Sequence, residues 1–163
     1  MILLRAIALS LSLFLASASV VAQDNSTSLA LKFSCSSSVG EGDERVIYAD
    51  TGEFVLQAGQ ISSFRWESSL HRRTHGFDCS VDESDGLQLD VLEQGWRVRV
   101  VDAASARERR GYDRERGRLC TVRLLREGEY LHVLPSCATL CGSRSNFSEL
   151  RIHLRSKDCE YLQ

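Results

Sequence analysis

The chain has 163 residues, a formal net charge of −2, and hydrophobic side chains at 43% of its positions. A balance this close to neutral excludes nucleic-acid binding driven by charge. The length suits one domain with a true core, and a single proline with no low-complexity tract gives no sign of a linker.

The chain opens MILLRAIALSLSLFLASASVVAQ. One arginine, a short apolar run and a small-residue exit predict a signal peptide over residues 1–22, cut before Gln23, rather than a membrane span. The first cysteine is Cys35, so no lipid anchor is expected at the new terminus. The mature protein is therefore expected in the periplasm, with no stable membrane anchor. Residues 23–28, QDNSTS, read as a flexible tail ahead of one β domain over residues 29–163.

From there the dominant signal is period-two alternation. Leu29, Leu31, Phe33 and Cys35 share one face. Asp50-Thr51-Gly52 reads as a tight turn, followed by Phe54 and Leu56, the turn Ala58-Gly59-Gln60, and then Phe64 and Trp66. Residues 71–79, HRRTHGFDC, place His71, His75 and Cys79 four apart. That spacing gathers ligands only on a helix; between strands it predicts an exposed polar loop and no metal site. Phe77, Cys79 and Val81 resume the alternation, as do Leu87, Leu89 and Val91, and Trp96, Val98 and Val100. Hairpins are expected at Leu92–Gly95 and Arg126–Glu129, and a last alternating run at Leu150, Ile152 and Leu154.

One segment departs from this pattern. Asp102 to Gly111 predicts a short helix, with Asp102 as N-cap, Arg109 and Arg110 in the last turn and Gly111 as terminator. Six arginines lie between Arg107 and Arg118, offset by Glu108, Asp113 and Glu115. The plain reading is a solvated surface; the sharper one is a basic docking surface for an acidic partner. The fold expected from all this is all-β: a small antiparallel barrel or barrel-like sandwich of eight to ten strands, with disulfides and one short helical insertion.

Six cysteines follow the signal segment: Cys35, Cys79, Cys120, Cys137, Cys141 and Cys159. An even count in an exported chain predicts three disulfides. Cys35 and Cys79 both sit on inward faces and are expected to pair across the core. The hairpin turn at Glu127-Gly128 brings Cys120 towards residues 135–137, so it can bond Cys137 or Cys141, and Cys159 takes the cysteine left over. Cys137-Ala-Thr-Leu-Cys141 is not a thioredoxin-type motif, because three residues intervene and no helix follows a parallel strand.

No hydrolase elbow, zinc-protease motif or phosphate-binding glycine loop is present, so neither an enzymatic activity nor a cofactor is predicted. The candidate partner-binding residues are Gly142, Ser143, Arg144, Ser145 and Asn146, a short polar loop held at its base by disulfides. Such a loop binds with little ordering cost, and the fixed donor fork of Arg144 suits a cleft lined with carboxylates.

With its signal segment, disulfide-bonded strands and a late Gly-Ser-Arg loop before an aromatic, the mature chain resembles small periplasmic β-barrel inhibitors of C-type lysozymes. In that family a Ser-Gly-x-x-Tyr loop and a lysine enter the lysozyme active site. The counterpart here is Cys141-Gly142-Ser143-Arg144-Ser145-Asn146-Phe147. Cysteine stands for the first serine, the aromatic is Phe147 and its spacing differs; Lys157 is the nearest lysine. The resemblance implies a non-enzymatic protein-binding protein, an inhibitor of or immunity protein against a lysozyme-like cell-wall hydrolase. The alternative is a structural or small-ligand-binding envelope protein.

Overall fold

The computed structural model describes residues 28–102, 105, 108, 119–137, 140, 141 and 146–162. Among these are ten strands: β1 (Ser28–Val39), β2 (Val46–Gln57), β3 (Gln60–Arg72), β4 (His75–Val81), β5 (Leu87–Leu92), β6 (Gly95–Val100), β7 (Thr121–Glu127), β8 (Tyr130–Pro135), β9 (Glu149–His153) and β10 (Cys159–Leu162). They form two antiparallel meanders, a four-stranded sheet in the order β1-β2-β3-β4 and a six-stranded sheet in the order β10-β9-β8-β7-β6-β5. The chain is thus all-β, and its strands divide into two open sheets rather than one closed barrel.

Alternation sets the inner faces. Along β1 the residues Leu29, Leu31, Phe33 and Cys35 are buried while their neighbours are exposed. Inward residues of both sheets join one hydrophobic cluster. Phe54 and Phe64 stack at 4.5 Å between ring centroids, and both are fully buried. Each such side chain contributes about 1.5–3 kcal/mol through burial. The space between the sheets is therefore filled with side chains.

The expected hairpins at residues 58–60, 92–95 and 126–129 are all present. At the first, Ala58 (φ 48) and Gly59 (φ 77) both adopt left-handed backbone, which matches the twist of the flanking strands. Residues 50–52 depart from expectation. They make no turn but run through the middle of β2, with Gly52 paired to Phe33 on one side and Trp66 on the other. Glycine is used there for space: a Cβ would sit 2.2 Å from Cε1 of Phe33. Residues 71–79 are likewise not a loop; His71 and Arg72 finish β3 and His75 begins β4. Ser28, assigned to the tail by sequence, is the first residue of β1. The signal segment, the rest of the tail and most of the expected helix over 102–111 lie outside the described residues.

Three disulfides close the fold: Cys35–Cys159, Cys79–Cys141 and Cys120–Cys137. The last is one of the two partners expected for Cys120. The expected Cys35–Cys79 bond is not formed, for a geometric reason. Both cysteines do point inward, but β1 and β4 are opposite edges of one sheet. Three strand spacings of about 4.8 Å separate them, beyond the reach of a disulfide. Each instead bonds a cysteine from the later part of the chain.

Candidate functional site

The two cysteines end a single row across the inner face of the first sheet. Register pairs Cys35 with Asp50, Asp50 with Ser68, and Ser68 with Cys79. The middle of the row is polar and buried: Asp50 is 0% exposed and Ser68 1%. Trp66 Nε1 donates to Asp50 Oδ1 at 2.8 Å, and the Tyr161 hydroxyl on β10 donates to Oδ2 at 2.9 Å. Burial pushes the Asp50 carboxyl above the usual carboxylate range, and hydrogen bonds with Ser68, Tyr161 and Trp66 partly pull it back. The Tyr161 hydroxyl is pushed up by burial and then by the charge of Asp50.

The same row holds the segment that sequence singled out. Cys141 is bonded to Cys79. At the other end, Asn146 is 3% exposed. Its amide Nδ2 donates to the carbonyl oxygens of Ser68 (3.4 Å) and Phe77 (3.3 Å), and the Ser68 hydroxyl donates to the Asn146 carbonyl at 2.6 Å. Phe147 follows, buried, with its ring edge-on to Trp66 at 4.6 Å between centroids. Four residues, Gly142, Ser143, Arg144 and Ser145, therefore connect two points fixed to the edge and inner face of the first sheet. Those four lie outside the described residues. Asn146, expected among the contact residues, has its side chain engaged inside the protein and serves as an anchor for the loop. Lys157 is not near this anchor: it stands in the β9–β10 turn beside β1, at the opposite edge of the sheet from Cys79.

Sequence reading missed the buried Asp50 and its half-buried partner Tyr161. A signal was present. Val46, Asp50, Gly52, Phe54 and Leu56 share one parity along β2, so an aspartate falls in register with core residues. Cys79 is in a disulfide, so His71, His75 and Cys79 do not make a ligand triad. Among the described residues no three His, Cys, Asp or Glu side chains gather as a metal site.

A second feature lies on the outer face of the first sheet. Two cross-strand rows, Lys32–Glu53–Arg65 and Ser34–Thr51–Glu67, flank a cleft of ≈ 670 Å³. Ser156 and Lys157, from the turn between β9 and β10, complete its lining.

Comparison of the chain with protein-family models, curated proteins and solved structures finds no match in any of the three.

Proposed function

We propose that the chain is a periplasmic, non-enzymatic protein-binding module, an inhibitor of or immunity protein against a lysozyme-like cell-wall hydrolase. The observation that carries this reading is that the residues on both sides of 142–145 are fixed to the first sheet. The Cys79–Cys141 bond holds one side, and the buried Asn146 amide with the Phe147 ring holds the other. A loop anchored on both sides gives up little conformational freedom on binding. In this reading Arg144 pairs with carboxylates of the enzyme cleft, where its planar fork gives bidentate geometry, and Ser143 and Ser145 add hydrogen bonds. Three disulfides are in keeping with an oxidising compartment. The test is capture of hydrolases by the oxidised mature protein, using periplasmic extract and a panel of purified lysozymes. Retention by wild type and loss on Arg144→Ala supports the reading; equal retention by both removes Arg144 from the site.

A second reading, a small-ligand-binding envelope protein, draws on the cleft on the outer face of the first sheet. Among the described residues the interior is filled by side chains, so this reading places the ligand on the outer surface.

A further inference from the structure

The cleft brings together two residues that composition sets apart. The chain holds 20 lysines and arginines, and only Lys32 and Lys157 are lysines. They come from opposite ends of the domain and line the same cleft.

Lys157 is held there against its backbone preference. Its φ is 68°, a left-handed conformation that L-residues other than Asn and Asp seldom adopt and that clusters at functional sites. The turn around it is tightly bonded. The Lys157 amide donates to the His153 carbonyl at 2.9 Å, and the His153 amide to the Asp158 carbonyl at 2.9 Å. His153 Nδ1 accepts the amides of Arg155 (3.3 Å) and Ser156 (3.1 Å). Two residues later Cys159 is bonded to Cys35 of β1, so turn and sheet form one rigid wall. The Lys157 ammonium donates to the Leu154 carbonyl. That contact uses one of its three donors and leaves two. Lys32 is only loosely engaged, 3.9 Å from Glu53, with its side chain 84% exposed.

We infer that this cleft binds a carboxylate-bearing saccharide. Lys32 and Lys157 take the carboxylate. Glu53 and Glu67 accept sugar hydroxyls, and Ser34, Thr51, Ser156 and Arg65 complete a lining rich in donors and acceptors. The volume lies within the range of small-ligand sites, about 300–1,000 Å³. Phe33, the one aromatic or aliphatic residue in the lining, turns its side chain to the inner face and is 4% exposed, so the cleft offers no pocket for an apolar side chain. The site is separate from residues 142–145 and stands whether or not those bind a hydrolase.

The test is an amide-resolved NMR titration, with calorimetry, of the oxidised protein against three probes: a galacturonate trisaccharide, the neutral galactose trisaccharide and tri-aspartate peptide. The acidic sugar shifts the amides of Thr51, Gly52 and Ser156, and the neutral sugar leaves them in place. Lys32→Gln and Lys157→Gly each weaken the acidic sugar by about tenfold or more, as loss of a charge-assisted contact does. Glycine accepts the left-handed backbone, so Lys157→Gly melts no lower than wild type and its binding loss is not a folding loss. Arg144→Ala leaves the titration unchanged, which separates this site from the proposed inhibitory loop. Equal binding of neutral and acidic sugars, unchanged affinity in both lysine variants, or tighter binding of tri-aspartate overturns the inference.

Discussion

Asp50 on β2 and Tyr161 on β10 share a 2.9 Å hydrogen bond between a buried carboxylate and a phenol. The bond runs from the four-stranded sheet to the edge strand of the six-stranded sheet. Asp50 is paired in register with Cys35, whose disulfide to Cys159 makes the same connection covalently. A buried hydrogen bond and a crosslink thus join the sheets, and Trp66 donates its indole N–H to the same carboxyl.

This arrangement predicts a pH dependence with a definite sign. Burial raises the Asp50 carboxyl above its ordinary value of 3.8, so the folded protein holds this proton more tightly than the unfolded chain. The stability it contributes is fully present below the unfolded pKa and is lost as pH rises through the folded one. Asp50→Asn keeps an acceptor for Trp66 and removes the titration. Thermal melts of both proteins between pH 3.5 and 7, chosen to bracket ordinary carboxylates near about 4, should show the variant gaining on wild type as pH rises. A gap that is flat with pH, or that moves the other way, rejects a raised Asp50.

The three disulfides should rank by the chain they enclose. Cys35–Cys159 spans 124 residues of sequence, Cys79–Cys141 spans 62, and Cys120–Cys137 spans 17. On loop entropy the longest is worth about 4–5 kcal/mol and the shortest about 3 kcal/mol. Paired Cys→Ser variants, unfolded in urea, should lose stability in that order. The C35S/C159S protein should also lose protection of the β10 amides in hydrogen exchange, because among the described residues β10 pairs in its sheet with β9 alone. A larger loss from C120S/C137S contradicts this ranking.

The strands were legible because alternation is local: Leu29, Leu31, Phe33 and Cys35 name the buried face of β1 without reference to anything else. Sheet membership is not local. Cys35 and Cys79 both read as inward, correctly, but only register shows that they end one row of the same sheet. Asp50 and Gly52 looked like turn formers because polar and small residues usually are. Their strand role depends on the distant Tyr161 and Phe33. Asn146 was read as a contact residue because it sits in a polar loop. Its partners Ser68 and Phe77 lie 78 and 69 residues away in sequence, so nothing nearby marks it as buried.

Gly52 should tolerate no side chain while Phe33 remains. A Cβ would meet three atoms of that ring, the nearest at 2.2 Å. Overpacking of this kind costs about 1–3 kcal/mol. Gly52→Ala should lower the urea midpoint by a corresponding amount, and adding Phe33→Leu should recover part of the loss by vacating the ring's space. If the double variant is less stable than the sum of the two single changes, the clash is not the cause.

The loop and its anchor should separate cleanly under mutation. Asn146→Ala removes the buried side-chain amide that donates to the carbonyls of Ser68 and Phe77. Losing such a hydrogen bond costs about 0.5–1.5 kcal/mol, so the melting temperature should fall by a few degrees, at about 2–4 °C per kcal/mol for a domain approaching about 150 residues. Partner binding should weaken with it, because the exit of the loop is no longer fixed. Arg144→Ala should abolish hydrolase capture and leave the melt where it was. The contrast is the measurement: an Asn146→Ala protein that melts like wild type shows that the amide does not hold the loop, and an Arg144→Ala protein that melts lower shows that the arginine serves the fold rather than a partner.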